Sequence, residues 1–170
     1  RAVNNLEPAR IGRGSAQVPS EVFNRRYIMK PGTEPRSPFG GLDQAVMNPG
    51  RGNSKILKAA GPTDPEIAFL TIQAADGRPI ALLANYSLHY VGPAAGAVYS
   101  ADYFGVFGDR IQQLLGADRL DPPFVGIMSN GTSGDINNIN FQEPGEKQAA
   151  YEQMNHVANA VADKVHGAYS

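Results

Sequence analysis

The 170-residue sequence predicts an α/β domain with mixed α and β layers. Three observations carry that expectation. Two apolar, β-branched runs, EIAFLTIQAA (66–75) and PIALLANYSLHY (79–90), are joined by an Asp76-Gly77 turn signal and read as a β-hairpin. The stretch FGVFGDRIQQLLG (104–116) has helical spacing and is followed by another short apolar run, which makes a strand–helix–strand crossover. The last stretch, 148–169, keeps amphipathic helical periodicity throughout. A hairpin beside a crossover makes the sheet mixed, with strands both parallel and antiparallel.

In chain order, ARIGRGSAQV (9–18) partly alternates and carries two glycines, which suits a twisted or edge strand. Residues 19–63 are dense in proline and glycine with little periodicity, so a long irregular excursion is expected. The second hairpin run is nearly continuous in apolar residues and is expected in mid-sheet with both faces covered. In the first helix Val106, Ile111, Leu114 and Leu115 fall near one face, and Gly116 supplies a stop. PPFVGIMSN (122–130) is a buried-strand candidate that runs into the glycine-containing turn GTSGDINN (131–138). In the final helix Ala150, Met154, Val157, Ala158, Val161 and Val165 form the apolar stripe.

Composition excludes several functions. Fifteen basic and sixteen acidic residues give a formal charge of −1, which offers no global attraction to nucleic acid or to an anionic bilayer. The longest apolar run, IALLA at 80–84, is far too short to span a membrane. With no cysteine, disulfides and thiolate metal sites are excluded, and a metal would need His, Asp, Glu, Tyr or Asn ligands.

The chemistry-bearing residues collect at two strand ends. One run delivers Asn85 and His89; the other delivers Ser129 and Asn130 into GTSGDINN. The crossover helix between them favours parallel strands whose carboxyl ends share an edge, where open α/β sheets bind ligands. His89 and Asp135 are therefore expected to face one cleft. His89 reads either as a hydrogen-bonded structural residue or as a metal ligand. GTSGDINN has three readings: a turn capped by Asp135, a phosphate cradle without the lysine that motif needs, or a nucleophile loop using Ser129 or Ser133. Of the adjacent Arg25 and Arg26, one directed into a cleft would bind a carboxylate or oxyanion. His156 and His166 lie about 80° apart around a helix and are read as surface residues. The sequons at Asn85 and Asn130 fall at buried or cleft positions and are discounted.

Taken together, FNRR (23–26), GPTDPEIAFLTIQAADGRPIALLANYSLHY (61–90), YSADYFG (99–105) and GIMSNGTSGDINN (126–138) resemble the amino-terminal catalytic domain of the neutral/alkaline non-lysosomal ceramidase family, especially its divergent bacterial members. The resemblance covers most of residues 6–140, in order. It implies zinc-dependent hydrolysis of the amide bond of N-acyl sphingoid lipids, or of a related amide or ester. It implies that His89 is a zinc ligand and that Arg25 lies in the active site. The loop equivalent to GTSGDINN would line the zinc pocket, with Asp135 and Asn137 in catalytic positions and Asn130 and Gly134 against substrate. In such a site zinc activates a water and polarises the carbonyl, while Arg25 or Asn137 stabilises the developing oxyanion.

The sequence departs from that pattern in two places. Asn137 stands where characterised members carry a catalytic serine. No H-x-H precedes residue 89, and the only acids of the last helix, Glu152 and Asp163, match no zinc motif. Residues 1–170, opening on Arg1 without an initiator methionine, are therefore expected to form a single domain that is the central part of a longer catalytic domain. The implied partners are the remainder of that domain, a lipid or amide substrate, and a peripheral membrane contact. No nucleic acid is expected, and the resemblance implies a secreted or periplasmic location. The alternative reading is a catalytically silent α/β binding module with an incomplete metal site; a serine hydrolase centred on Ser133 is a third.

Overall fold

A computed structural model describes residues 2–96, 98–146 and 148–169. Its main sheet has four strands: β1 (Ala9–Gln17), β6 (Glu66–Ala74), β7 (Pro79–Tyr86) and β8 (Val125–Asn130), in the order β1-β6-β7-β8. The first two pairings are antiparallel and β7–β8 is parallel, so the sheet is mixed as its sequence predicts. Helices α1 (Asp102–Leu114) and α2 (Glu152–Gly167) pack on each other and on this sheet.

Alternation along the strands explains which face the helices cover. Ile67, Phe69 and Thr71 of β6 and Leu82, Ala84 and Tyr86 of β7 are buried, and they share one core with Tyr103, Phe107 and Ile111 of α1 and Val157, Val161 and Val165 of α2. Close approach depends on missing side chains. A Cβ on Gly126 of β8 would lie 2.8 Å from Ile111 and 3.0 Å from the Gly108 carbonyl oxygen, so α1 crosses β8 nearly backbone to backbone. On the edge strand β1, a Cβ on Gly14 would lie 2.4 Å from the Phe69 ring. The glycines that mark β1 as an edge strand in sequence are thus where the core ring lies.

Three expectations change. First, β8 is not a buried strand, because Val125 and Ile127 are 48% and 47% exposed on the side away from the helices. The 19–63 excursion is not irregular: it contains β2 (Phe23–Asn24), β3 (Arg26–Met29), β4 (Ala45–Met47) and β5 (Ile56–Ala59). The last three form a small antiparallel sheet in the order β4-β3-β5 over a second core of Tyr27, Met29, Ile56 and Phe141. Strands of two to four residues are too short to display a period, and their pairing is set by distant partners. The strand β7 does lie in mid-sheet, but only its helix-facing side is covered; Leu83 on the other side is 43% exposed. A run apolar on both faces says what each face prefers, not whether these 170 residues supply both covers.

The last helix follows its sequence pattern, whereas in α1 only Ile111 of the expected face is buried: Val106, Leu114 and Leu115 are partly buried, and Tyr103 and Phe107 supply the rest of the core-facing side. Gly116 takes φ +63° and its N–H bonds back to Gln113, ending α1 as expected. The helix α2 starts at Glu152, after a left-handed Tyr151, so Ala150 falls outside it while the other five stripe residues are buried. His156 is exposed, as expected, yet its Nε2 lies 3.4 Å from Oε1 of the buried Glu21.

Candidate functional site at the carboxyl edge of the central strands

The parallel register sets Tyr86 of β7 beside Asn130 of β8, so both chains leave the sheet at the same edge. Their exits are stitched together. The Gly131 N–H donates to the Tyr86 carbonyl at 2.9 Å, the Thr132 N–H donates to Ser87 Oγ at 3.2 Å, and the Ser87 and Thr132 hydroxyls lie 3.2 Å apart. Ser87 is buried, and a Cβ on Gly131 would sit 2.6 Å from its Oγ, so glycine is needed for the loop to close on β7.

The GTSGDINN loop then meets FNRR. Its strand β9 (Ile136–Asn137) pairs antiparallel with β2, matching Phe23 to Asn137 and Asn24 to Ile136. Asn24 Nδ2 donates to Asp135 Oδ2 at 2.9 Å, and Asn24 Oδ1 accepts the Arg26 N–H at 2.9 Å. The Arg25 N–H donates to the Asp135 carbonyl at 2.7 Å. The Arg25 side chain donates from Nε and Nη2 to the Gly134 carbonyl, at 3.1 and 2.6 Å. Arg25, Gly134, Asp135 and Asn137, separated by more than a hundred residues, are therefore one cluster. Asn137 turns its Oδ1 to the Ile139 N–H at 3.2 Å. With Oδ1 so used, its Nδ2 is the group left to donate. Asn130 is exposed at the end of β8.

His89 lies three residues beyond β7 and is half-buried. Its position is set from the first turn of α1. The buried Tyr103 hydroxyl donates to the Leu88 carbonyl at 3.1 Å. The Asp102 carboxylate accepts N–H bonds from Val91 at 2.9 Å, Gly92 at 3.0 Å and Tyr103 at 2.7 Å. Burial, reinforced by nearby Tyr86 and Asp102, pushes the Tyr103 phenol far above its ordinary range and keeps it a donor. The His89 ring meets Tyr90 edge-on at 5.1 Å, and Tyr90 meets Phe104 at 6.1 Å. Sequence reasoning passed over Asn24, Ser87 and Asp102. Asp102 had a signal: in YSADYF an acid stands at a helix start, where free amides need an acceptor.

The donor set tests the implied zinc. His89 Nδ1 accepts the Tyr90 N–H at 2.8 Å, which puts the proton of a neutral ring on Nε2. Ligation through Nε2 would require that proton to move and that contact to break. A catalytic zinc takes three protein ligands, and among the described residues no group of three or more His, Asp or Glu is placed to hold a metal. The described residues do not by themselves make up a complete zinc site. Ser129 Oγ donates to the Ala84 carbonyl and accepts from Asn85 Nδ2, and Ser133 is buried. Among the described hydrogen bonds, neither serine has a histidine partner, so the pairing a serine nucleophile needs is not assembled.

No protein-family model and no curated protein matches the sequence. Solved structures do match the fold. The crystal structure of neutral ceramidase from Pseudomonas aeruginosa aligns with a TM-score of 0.62 at 16% identity, and a ceramidase complexed with C2 aligns with a TM-score of 0.62 at 15% identity. Both alignments cover 99% of this chain but 24% and 23% of those chains. The chain thus has the fold of a segment of the neutral ceramidases and spans about a quarter of their length.

Proposed function

We propose that this chain is part of a ceramidase-like hydrolase that cleaves the amide bond of an N-acyl sphingoid lipid or a related amide or ester. The observation that supports it best is the convergence of Arg25, Gly134, Asp135 and Asn137 beside the exit of the His89 strand, in a fold shared with neutral ceramidases. In this reading Asn24 and Asp135 hold the loop in place. The remaining guanidinium N–H groups of Arg25 and the Nδ2 of Asn137 are the donors for an oxyanion. In this reading His89 would serve as a zinc ligand once its Nδ1 gives up the Tyr90 N–H, with the other ligands supplied by polypeptide outside residues 1–170.

The test uses the natural polypeptide with N-acyl sphingosines of short and long chain and with simple acyl amides and esters. Fatty-acid release is expected, and Arg25→Ala should lower it roughly a hundredfold, with Arg25→Lys intermediate. Release from none of these substrates would overturn the proposal. A silent binding module is the second reading. It is favoured by two observations: Arg25 is already committed to the Gly134 carbonyl, and Asn137 replaces an expected serine. Saturable binding of N-acyl sphingosine without turnover would establish it.

A further inference from the structure

The side of the main sheet away from the helices is bare and aliphatic. Three rows cross its four strands in register. The first is Ile11, Ile72, Ala81, Val125; the second is Arg13, Leu70, Leu83, Ile127; the third is Ser15, Ala68, Asn85, Ser129. Ile11 is 76% exposed, and Leu70, Leu83, Val125 and Ile127 are each between 43% and 48% exposed. Isolated exposed aliphatics are ordinary, but neighbours aligned across every strand of a sheet are an unfinished interface. The third row is polar and closed by the Asn85–Ser129 hydrogen bond at 2.9 Å, on the side toward the candidate site. Two shallow depressions of about 570 and 390 Å³ open on this face, one around Leu70 and Leu83, the other around Ile72 and Val125.

We infer that this face is the seat of a second β-sheet, aliphatic on its inner side, contributed by the same polypeptide from outside residues 1–170. A pleated row of half-exposed aliphatics matches another sheet packed at about 10 Å, with its side chains seated in the depressions. Size argues for the same polypeptide. Four strands at about 4.8 Å and five residues of strand length offer roughly 320 Å², well under half the ~800 Å² each partner of a stable dimer contributes. A covalently joined layer does not need that area, because its effective concentration is high. Both solved ceramidases with this fold are about four times as long as this chain. A lipid surface fits less well, since the cations of this face are few and offset: Arg13 lies in the rows with Glu66 nearby, and Arg78 at the rim is paired with Glu7. The inference concerns assembly and stands whether or not the hydrolase reading does.

The sequence of residues 1–170 has no cysteine, so single cysteines report cleanly once any others in the natural polypeptide are replaced. Leu83→Cys and Ile127→Cys are compared with Asn155→Cys on the exposed side of α2. In the native natural polypeptide the two sheet thiols should react with N-ethylmaleimide roughly tenfold or more slowly than the helix thiol, with all three equal in urea. That protection should be unchanged by dilution and by phosphatidylcholine–phosphatidylglycerol vesicles. A p-benzoylphenylalanine in place of Leu83 should cross-link within one polypeptide, to a peptide outside residues 1–170. Equal native labelling rates, protection lost on dilution, a cross-linked product of doubled mass, or protection that appears only with vesicles would each overturn the inference.

Discussion

Asp102 is expected to hold the His89 segment in place, and Asp102→Ala measures how strongly. Its carboxylate accepts three backbone N–H bonds, two of them from Val91 and Gly92 just beyond His89. Hydrogen bonds to a charged acceptor contribute about 1.5–3 kcal/mol when buried. Asp102 is half-buried, so water replaces part of each, and about 1 kcal/mol apiece is the appropriate scale. The residue also sits at φ +52°, which aspartate tolerates somewhat better than alanine. Opening of the segment after His89 loses the two bonds from Val91 and Gly92, about 2 kcal/mol, which corresponds to a roughly thirtyfold change in an opening equilibrium. Hydrogen exchange resolves where that energy resides. The Val91 and Gly92 amides should exchange about thirtyfold faster in Asp102→Ala, beyond any change in the most protected amides of β6 and β7. Asp102→Asn keeps one acceptor oxygen and the tolerance for positive φ, and should lose about half as much. Unchanged exchange at Val91 and Gly92 would show that the loop after His89 is held by other contacts, and the account of how His89 is positioned would fail.

Three further outcomes follow from the same contacts. Asn24→Ala removes a buried side chain that serves Asp135 and the Arg26 amide, and should lower urea stability by about 2–3 kcal/mol; a loss under 0.5 kcal/mol would contradict that role. Burial raises the Tyr86 phenol far above 10.0, with Glu21 and Asp64 adding to the effect, and raises Tyr103 likewise. The unfolded chain releases these protons near pH 10 while the folded chain keeps them. Stability should therefore be insensitive to these groups below pH 10 and fall above it, by up to about 1.4 kcal/mol per pH unit for each tyrosine; Tyr103→Phe should flatten the decline, and an unchanged slope would refute it. Asn137→Ser can retain the cap on the Ile139 N–H and should change stability by less than about 1 kcal/mol. Under the proposed hydrolase reading this substitution should raise hydrolysis by the natural polypeptide, and an unchanged or lower rate would count against a serine role at this position.

Much of the scaffold was legible because its signals are local. The Asp76-Gly77 turn, the Gly116 stop and the Met154–Val165 stripe each act within a few residues, and each appears where its pattern puts it. The shared edge of β7 and β8 was legible through a handedness rule that needs only the helix between them. The meeting of FNRR with GTSGDINN was less so. Its two-residue strands carry no period, and the pairing spans more than a hundred positions. Resemblance placed Arg25 and Asp135 in one site, whereas residue chemistry alone left the loop with three readings. Asn24, which ties the two segments, gave no sign, because a buried asparagine is identified by its partners and not by its neighbours in sequence.

The same distinction explains why the candidate site is incomplete in a particular way. Three supporting contacts are local to this chain and made, Ser87 to Thr132, Asn24 to Asp135 and Asp102 to the loop after His89, while the buried Asn138 Oδ1 at the end of the loop has no partner among the described residues. The groups that would meet substrate are single and spaced, with one imidazole, one guanidinium and one amide. A site whose supports are closed while its working groups await partners is arranged to be finished by something fixed in position, because each half must already be rigid for the groups to meet at hydrogen-bonding distance. The bare face of the main sheet ends in its polar row on the same side as those groups. A layer seated on that face is placed to bring its own side chains to that edge. Packing of the apolar rows and completion of the chemistry would then depend on one docking event, so Leu83→Asp should lower activity of the natural polypeptide in step with loss of native thiol protection at Ile127→Cys. Full activity in a Leu83→Asp protein whose Ile127→Cys thiol reacts freely would separate the two and defeat that coupling.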